Sequence, residues 1–241
     1  MSEIITVENL TVAFGKLKIL DSLSMGVQEG ETLGVIGPNG AGKTTLLNAL
    51  SGCIKPQGGR IIYQGIEITG VSPAKRCQKG IGRTYQVPCP FENLTVYENV
   101  LVGGVHGAGF SERKAREKCL EVLSFTGIME KKDILAGRLT LMDRKRLEVA
   151  RALATNPKVL LLDEVAAGLT EVEIRAVMQI VEKIKNMGVT IIWIEHIIKT
   201  MLEGTDRLLC LAAGKNLLCG DPKEVMASKL VGEVYLGVED A

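Results

Sequence analysis

A glycine-rich segment that contains one lysine and two threonines is the part of the chain best suited to chemistry. It reads GPNGAGKTT, with apolar TLGVIG before it and LLNALSG after it. The spacing fits the phosphate-binding pattern GxxxxGKS/T, in which glycines let consecutive backbone N–H groups point at phosphate oxygens. We therefore predict a nucleoside triphosphate site. Its loop comprises Gly37, Pro38, Asn39, Gly40, Ala41, Gly42, Lys43, Thr44 and Thr45.

Two side chains of this loop have predicted roles beyond backbone binding. Lys43 would bind the β and γ phosphates, and the hydroxyl of Thr44 would bind the Mg²⁺ that bridges them. A helix is predicted from Thr44 to Ser51. Its positive dipole end would face the same phosphates.

An acidic pair, Asp163 and Glu164, follows an unbroken apolar run that is typical of a strand buried on both faces. Ligands of α/β sheets bind at the carboxyl ends of such strands. We predict that Asp163 holds Mg²⁺ and that Glu164 is the general base for the attacking water. The alternative is a structural pair that only ends the strand, and the glycine loop upstream favours the chemical role.

His196 and Gln86 are two further candidates. His196 ends the apolar segment VTIIWIEH, and its imidazole would contact the γ-phosphate. Gln86 lies in TYQVPCPFENLTVYENV, and its amide would reach Mg²⁺ or the attacking water and move with nucleotide state. Taken alone, either residue is also compatible with a structural position.

The elements that position these residues follow from turn signals and apolar periodicity. Short β-rich segments, broken at Gly15 and at Glu29-Gly30, open the chain and predict an antiparallel layer. Apolar residues recur at helical spacing from about 91 to 154, and α/β alternation then returns. We predict one domain of residues 1–241. Its nucleotide core and β layer are residues 1–90 and 155–241, and residues 91–154 are an inserted helical subdomain.

Helix and hairpin boundaries are also predicted. Ser111 is a candidate N-cap, and Thr170 with Glu173 forms a capping-box pattern for a helix that ends at Gly188. A hairpin is predicted to turn at Ala213-Gly214, and Asp221 precedes a last helix.

Composition limits the possible partners. The chain has 29 basic and 28 acidic residues, a net charge of +1, which gives no general attraction to nucleic acid or to an anionic membrane. We interpret the basic run Arg144-Lys145-Arg146 as a solvated helix face.

Six scattered cysteines without a CxxC pair argue against metal or redox roles and suit a reducing cytosol. The acidic amino terminus and the lack of a long uncharged apolar run predict a soluble chain without a signal peptide.

The order of these motifs resembles that of an ATP-binding subunit of an ABC transporter. Phe14, the GPNGAGKTT loop, Gln86, the LLLDE strand and His196 follow one another over almost the whole length. The resemblance implies an α/β fold: a P-loop NTPase core of the ABC ATPase type with an antiparallel β layer and an inserted α-helical subdomain. It also implies ATP and Mg²⁺ as cofactors, ATP hydrolysis, and stacking of Phe14 on adenine.

The family places a signature, usually LSGGQ, where this chain has LTLMD, residues 139–143. By the resemblance, Thr140, Leu141 and Met142 would contact ATP bound to a second subunit in a head-to-tail dimer. We interpret Asp143 as the helix cap, and the basic residues after it would offset its charge. Val165 and Thr170 stand where the family usually has proline and aspartate.

Three segments, LTLMDRKRLEVARALA, LLLDEVAAGL and the closing VYLGV, resemble the branched-chain amino acid importers, a group that includes urea and amide importers. This resemblance implies a homodimer or a heterodimer with a second ABC ATPase, integral-membrane permease subunits that meet the segment from Gln86 to Asn99, and indirectly a solute-binding protein. It implies a location on the cytoplasmic face of the cell membrane. Two alternatives are a nucleotide-gated regulatory module that does not hydrolyse ATP and an ATPase acting on ribosomes or DNA. The near-neutral charge disfavours the latter, and no nucleic-acid partner is expected.

Overall fold

The computed structural model describes residues 2–236 of the chain. Strands β1 to β10 span, in chain order, Glu3–Phe14, Leu17–Gln28, Thr32–Ile36, Gly58–Tyr63, Ile66–Glu67, Ile81–Arg83, Val159–Asp163, Thr190–Ile194, Arg207–Ala212 and Lys215–Gly220. Helices α1 to α9 span Lys43–Ser51, Pro73–Gln78, Val96–Val102, Glu112–Phe125, Leu141–Ala154, Glu171–Asn186, Ile198–Gly204, Pro222–Ala227 and Lys229–Val231. Gly237 and Val238 of the closing VYLGV segment lie outside the described residues.

The chain forms two compact units. The first contains the residues up to 73 together with those from 190 onward, and the second contains residues 74–189. The predicted helical subdomain, residues 91–154, lies inside the second unit, which also holds β6, β7 and α6.

The first unit contains an antiparallel sheet in the order β2-β1-β4-β5. Val7 of β1 is paired with Met25 of β2 on one side and with Ile61 of β4 on the other, and all three side chains are buried. Gly15 turns the chain between β1 and β2 with a positive φ of 62°. The antiparallel layer predicted from the opening segments is therefore confirmed.

The same unit contains the strands β10-β9-β3-β8, in that order. β3 is parallel to β8 and to β9, with Val35 opposite both Ile194 and Leu209. Every residue of β3 and β8 is buried, as their apolar sequences require. The predicted hairpin of β9 and β10 turns at Ala213-Gly214.

The second unit contains the parallel pair β6 and β7 and the helices α2 to α6. The helical spacing of apolar residues predicted between about 91 and 154 is confirmed in α4, which has one buried face. This face consists of the buried residues Ala115, Cys119, Val122 and Leu123. Helix α6 begins with the predicted capping box, in which the Thr170 hydroxyl accepts the Glu173 N–H and the Glu173 carboxylate accepts the Thr170 N–H. Within residues 2–236, no helix combines the length and the apolar character needed to cross a bilayer.

Candidate functional site

The glycine loop follows β3 and has a backbone that side chains would obstruct. A Cβ on Gly37, whose φ is 150°, would lie 2.1 Å from the carbonyl oxygen of Leu211. A Cβ on Gly42, whose φ is 101°, would lie 2.7 Å from a methyl group of Leu20. These two positions require glycine because the surrounding backbone and core leave no room.

Lys43 is the first residue of α1, one residue earlier than predicted, because Gly42 in the left-handed region is the N-cap. Its side chain is buried, and its ammonium donates to the carbonyl oxygens of Gly37 at 2.7 Å and Pro38 at 3.1 Å. The cation therefore lies over the loop, next to the positive end of α1. This arrangement suits the binding of a phosphate group.

His196 and Phe14 lie in the same unit as the glycine loop. β8 ends two residues before His196, and β3 ends one residue before Gly37. Because β3 and β8 are parallel and in register, His196 and the glycine loop leave the same edge of the sheet. The His196 side chain is exposed. Phe14 ends β1 with 57% of its surface exposed, so its ring has a face available for stacking.

Asp163 ends β7 in the second unit and is paired with Arg83 of β6. The Arg83 guanidinium donates to Asp163 Oδ2 at 3.3 Å, and both side chains are buried, with 7% and 2% exposed. The Asp163 N–H donates to the hydroxyl of Thr84 at 3.2 Å. Burial raises the pKa of Asp163, and the charge of Arg83 opposes that rise. Asp163 Oδ1 is buried and accepts no hydrogen bond within the described residues.

Gln86 and Glu164 are brought together. The Gln86 side-chain amide donates to Glu164 Oε2 at 2.6 Å. Glu164 has a φ of 47°, which non-glycine residues seldom adopt. The two residues follow neighbouring parallel strands, β6 and β7, which places their loops side by side.

The basic run on α5 is not a solvated face, so that interpretation was wrong. Lys145 is 3% exposed, and its ammonium donates to the backbone carbonyls of Gln86 and Glu164, each at 2.8 Å. Arg144 donates to the carbonyls of Gly137 and Leu139. The periodicity of the helix carried a signal for Lys145, because the position lies three residues after one buried residue, Met142, and four before another, Val149.

The start of α5 also differs from the prediction. Thr140, not Asp143, is the N-cap, because Thr140 is extended and its hydroxyl accepts the N–H of Asp143. The Asp143 carboxylate accepts the Thr140 hydroxyl at 2.7 Å and pairs with Lys131. Burial opposes ionisation of Asp143, but the hydrogen bonds from Lys131 and Thr140 outweigh it and keep its pKa below the usual value.

Two other residues of this segment were predicted to contact a second subunit's ATP. Leu141 is 47% exposed, whereas Met142 is buried with 8% exposed. The Met142 side chain therefore belongs to the core of the second unit. A contact made by this residue would use its backbone.

The segment around Gln86 has exposed side chains, and hydrogen bonds hold its backbone at Cys89 and Phe91. Tyr85, Val87 and Phe91 expose 47%, 71% and 47% of their surface. The buried side chain of Asn99 accepts the N–H of Phe91 at 2.9 Å and donates to the carbonyl of the same residue at 3.1 Å. Arg151 adds a hydrogen bond to the carbonyl of Cys89 at 2.8 Å and a guanidinium 5.0 Å from the ring centre of Phe91.

Comparisons with known proteins agree with this arrangement. The sequence profile of the ABC transporter family matches residues 20–167. The chain is 34% identical to the lipopolysaccharide export system ATP-binding protein LptB of Haemophilus influenzae, with 97% of each chain covered. It is 33% identical to the probable branched-chain amino acid transport ATP-binding protein LivG of Methanocaldococcus jannaschii, with 98% of each chain covered. It is 34% identical to BraF, the high-affinity branched-chain amino acid transport ATP-binding protein of Pseudomonas aeruginosa, covering 97% of this chain and 98% of BraF.

Solved structures give the same result. An ATP-binding cassette of an ABC transporter in its ADP conformation matches 99% of this chain and 100% of its own, with a TM-score of 0.90 and 33% identity. A dimeric cassette in a post-hydrolysis state, with ADP and phosphate bound, matches 90% of this chain and 98% of its own, with a TM-score of 0.80 and 25% identity. A full-length sequence likeness, a matching family profile and a shared fold lead to one conclusion: this chain is a member of the ABC transporter family, an ATP-binding subunit with the ABC ATPase fold.

Proposed function

We propose that this subunit hydrolyses ATP to power an importer of branched-chain amino acids. The observation that carries the proposal is the near-full-length likeness to LivG and BraF, both of which are named for branched-chain amino acid transport. A second candidate function is to power the export of a lipid, because this chain is equally similar to LptB, which is named for lipopolysaccharide export. Urea or an amide remains a further solute for an importer of this group.

The first unit supplies the groups that bind the nucleotide. Lys43 binds the β and γ phosphates, since its buried ammonium already lies over the glycine loop. The N-terminus of α1 adds its partial positive charge. The exposed ring of Phe14 stacks on adenine, and His196 donates to the γ-phosphate.

The second unit supplies the group that activates water. Glu164 acts as the general base, because its carboxylate follows a rigid buried strand and its backbone is fixed by Lys145. Gln86 orients the attacking water, since its amide lies beside the Glu164 carboxylate. The amide engages only one of the two carboxylate oxygens, so Glu164 can accept a proton with Gln86 beside it.

The residues present suit Mg²⁺. Asp163 Oδ1 is a buried carboxylate oxygen without a hydrogen bond among residues 2–236, and such an oxygen is a ligand that Mg²⁺ prefers. Within the second unit, Asp163 would hold the ion, with the side-chain oxygen of Gln86 as a further ligand. The phosphate-binding motif separately predicts that the Thr44 hydroxyl is a Mg²⁺ ligand. No group of three or more His, Cys, Asp or Glu side chains in this part of the chain forms a complete metal cage. Mg²⁺ is usually bound through one or two carboxylates and completes its shell with phosphate oxygens and water. When bound, Mg²⁺ neutralises charge that develops on the phosphates.

Partner subunits are expected at two surfaces. The exposed apolar side chains of Tyr85, Val87 and Phe91 suit contact with a membrane permease, because soluble proteins seldom expose such side chains in a cluster. Thr140 and Leu141, exposed at the start of α5, suit contact with the nucleotide of a second ATPase subunit, in a homodimer or a heterodimer. The solute-binding protein would act through the permease, and the subunit would lie on the cytoplasmic face of the membrane.

The enzymatic part of this proposal is tested by Mg²⁺-dependent ATP turnover across protein concentrations, with Glu164→Gln beside the native chain. Loss of a general base lowers turnover about 10²- to 10⁴-fold. ATP binding, measured by equilibrium dialysis, is retained. Unchanged turnover in the variant would refute the role of Glu164. A rate that rises faster than linearly with protein concentration supports a dimer.

The solute is tested by uptake. A host strain that lacks this subunit is complemented with the native chain or with Lys43→Ala, and entry of labelled leucine, urea and acetamide is measured. Leucine uptake restored only by the native chain supports the proposal. A strain that takes up leucine normally but accumulates lipopolysaccharide precursors instead favours the export candidate.

A further inference from the structure

Lys145 is a buried cation that joins two loops of the second unit. Its ammonium donates to the carbonyl of Gln86, in the loop after β6, and to the carbonyl of Glu164, in the loop after β7. Both contacts are 2.8 Å, which is a usual distance for a charge-assisted hydrogen bond. Only 3% of the residue is exposed, so water does not compete effectively for these bonds.

The two loops are also joined by their side chains. The Gln86 side chain donates to the Glu164 carboxylate at 2.6 Å. Each of these residues is therefore held twice, by this side-chain contact and by the hydrogen bond from Lys145 to its backbone carbonyl. Gln86 is predicted to move with nucleotide state, and such a movement would break the side-chain contact. The backbone contact involves neither the amide nor the carboxylate, and it survives that change.

From this geometry we propose that Lys145 is a positioning residue that keeps the Gln86 and Glu164 backbones together while the Gln86 side chain turns away. This inference rests on the proposed roles of Gln86 and Glu164. Without Lys145, release of the side-chain contact would also let the loops separate. The water-orienting amide and the general base would then lose their relative placement, on which the rate depends steeply.

The backbone of Glu164 gives Lys145 a second effect. Glu164 has a φ of 47°, a conformation that costs energy and persists only where the surroundings hold it. The carbonyl of Glu164 accepts both the Lys145 ammonium and the N–H of Ala167, the latter at 3.2 Å. Lys145 therefore helps to hold the strained residue in place.

Hydrogen exchange of the nucleotide-free chain tests this inference without any ATP turnover. In Lys145→Met, which keeps the length of the side chain and removes its charge, we expect amides of residues 84–92 and 163–169 to exchange at least about tenfold faster, because hydrogen bonds to charged groups contribute that much. Amides of helix α4 should exchange as in the native chain. Arg146→Met is the matched control. Its guanidinium also donates to a carbonyl, that of Gly127, which lies in neither loop.

A faster exchange in only one loop, or in neither, would overturn the proposal. So would a uniform increase over the whole second unit, which would indicate a general structural role. If Lys145→Met does not fold, Lys145→Gln is measured instead, since its amide is shorter and uncharged and still satisfies part of the buried polar site.

Kinetics supply the functional readout. We expect Lys145→Met to lower kcat about tenfold while KM for ATP changes by less than about twofold, because the residue positions the base and does not bind the nucleotide. A rise in KM with unchanged kcat would contradict the inference. If Glu164→Gln left turnover unchanged, the proposed function itself would fail, and the exchange result for Lys145→Met would still stand as a separate test.

Discussion

The Gln86 side-chain amide donates a 2.6 Å hydrogen bond to the Glu164 carboxylate. The contact joins the two loops that follow β6 and β7 and occupies one oxygen of the proposed general base. The amide and the carboxylate therefore act as one unit, and their effects on turnover should not be independent.

A double-mutant cycle measures this dependence. We expect Gln86→Ala to lower kcat about tenfold and Glu164→Gln to lower it about 10²- to 10⁴-fold. The double variant should be no more than about twofold slower than Glu164→Gln alone, since residues that act as a unit are strongly non-additive. Steady-state ATP turnover at saturating ATP gives the four rates. Multiplication of the two single effects would show that Gln86 acts independently of Glu164.

The buried pair of Arg83 and Asp163 predicts a stability change that depends on whether one charge or both are removed. Arg83→Met leaves a buried carboxylate without its cation and should lower the free energy of unfolding by about 3 kcal/mol. The double variant Arg83→Met with Asp163→Asn should recover at least half of that loss, because no unpaired charge remains. Urea unfolding at pH 7 measures both variants. A double variant that is less stable than Arg83→Met would contradict the explanation.

Two glycines of the phosphate-binding loop should respond differently to the same change. Gly40 has a φ of 79° and open space at its Cβ position, so Gly40→Ala should cost only about 1–2 kcal/mol of backbone strain. Gly37→Ala would place a methyl group 2.1 Å from the Leu211 carbonyl oxygen, which forces the loop to move. We expect Gly37→Ala to lose ATP binding and Gly40→Ala to retain it. Equal affinities in fluorescent-nucleotide titrations would refute the role of the close approach.

Cys119 predicts a pH-dependent reactivity. Burial raises the pKa of its thiol to about 11, above that of an exposed thiol, about 8.5. The folded chain favours the neutral thiol. The contribution of this thiol to the free energy of unfolding is therefore complete below about pH 8.5 and is lost as the pH rises through 11. At pH 8 we expect iodoacetamide to modify the exposed Cys53 and Cys89 and to leave Cys119 unmodified until the chain unfolds. Mass spectrometry of peptides identifies the sites, and rapid labelling of Cys119 in the folded chain would contradict its burial.

Periodicity and turn signals were sufficient to predict most of the architecture. The antiparallel layer, the capping box at Thr170 and Glu173, the apolar face of α4 and the hairpin at Ala213-Gly214 depend on local sequence, and the structure contains each of them. Local preferences and long-range packing agree at these elements, which is why a single sequence reveals them.

The contacts that hold the loops after β6 and β7 were not predictable in the same way. Lys145 lies between two arginines, and a basic run on a helix is usually solvated. Its partners are backbone carbonyls 59 and 19 residues away in the sequence, and no side-chain pattern marks a carbonyl as an acceptor. Arg83 likewise lies 80 residues from Asp163, so their ion pair depends on the pairing of β6 with β7.

Asn99 affects the rate and the affinity with which a partner protein can bind the exposed side chains of Tyr85, Val87 and Phe91. Its side chain fixes the backbone at Phe91 from both the N–H and the carbonyl side, before any partner is present. Ordering a flexible side chain on association costs about 0.5–1.5 kcal/mol, and a loop costs more. At Phe91, much of this entropy is already lost when the chain folds. Association with a permease should therefore resemble the meeting of two rigid bodies, with the rate set by orientation and not by a slow rearrangement of the loop.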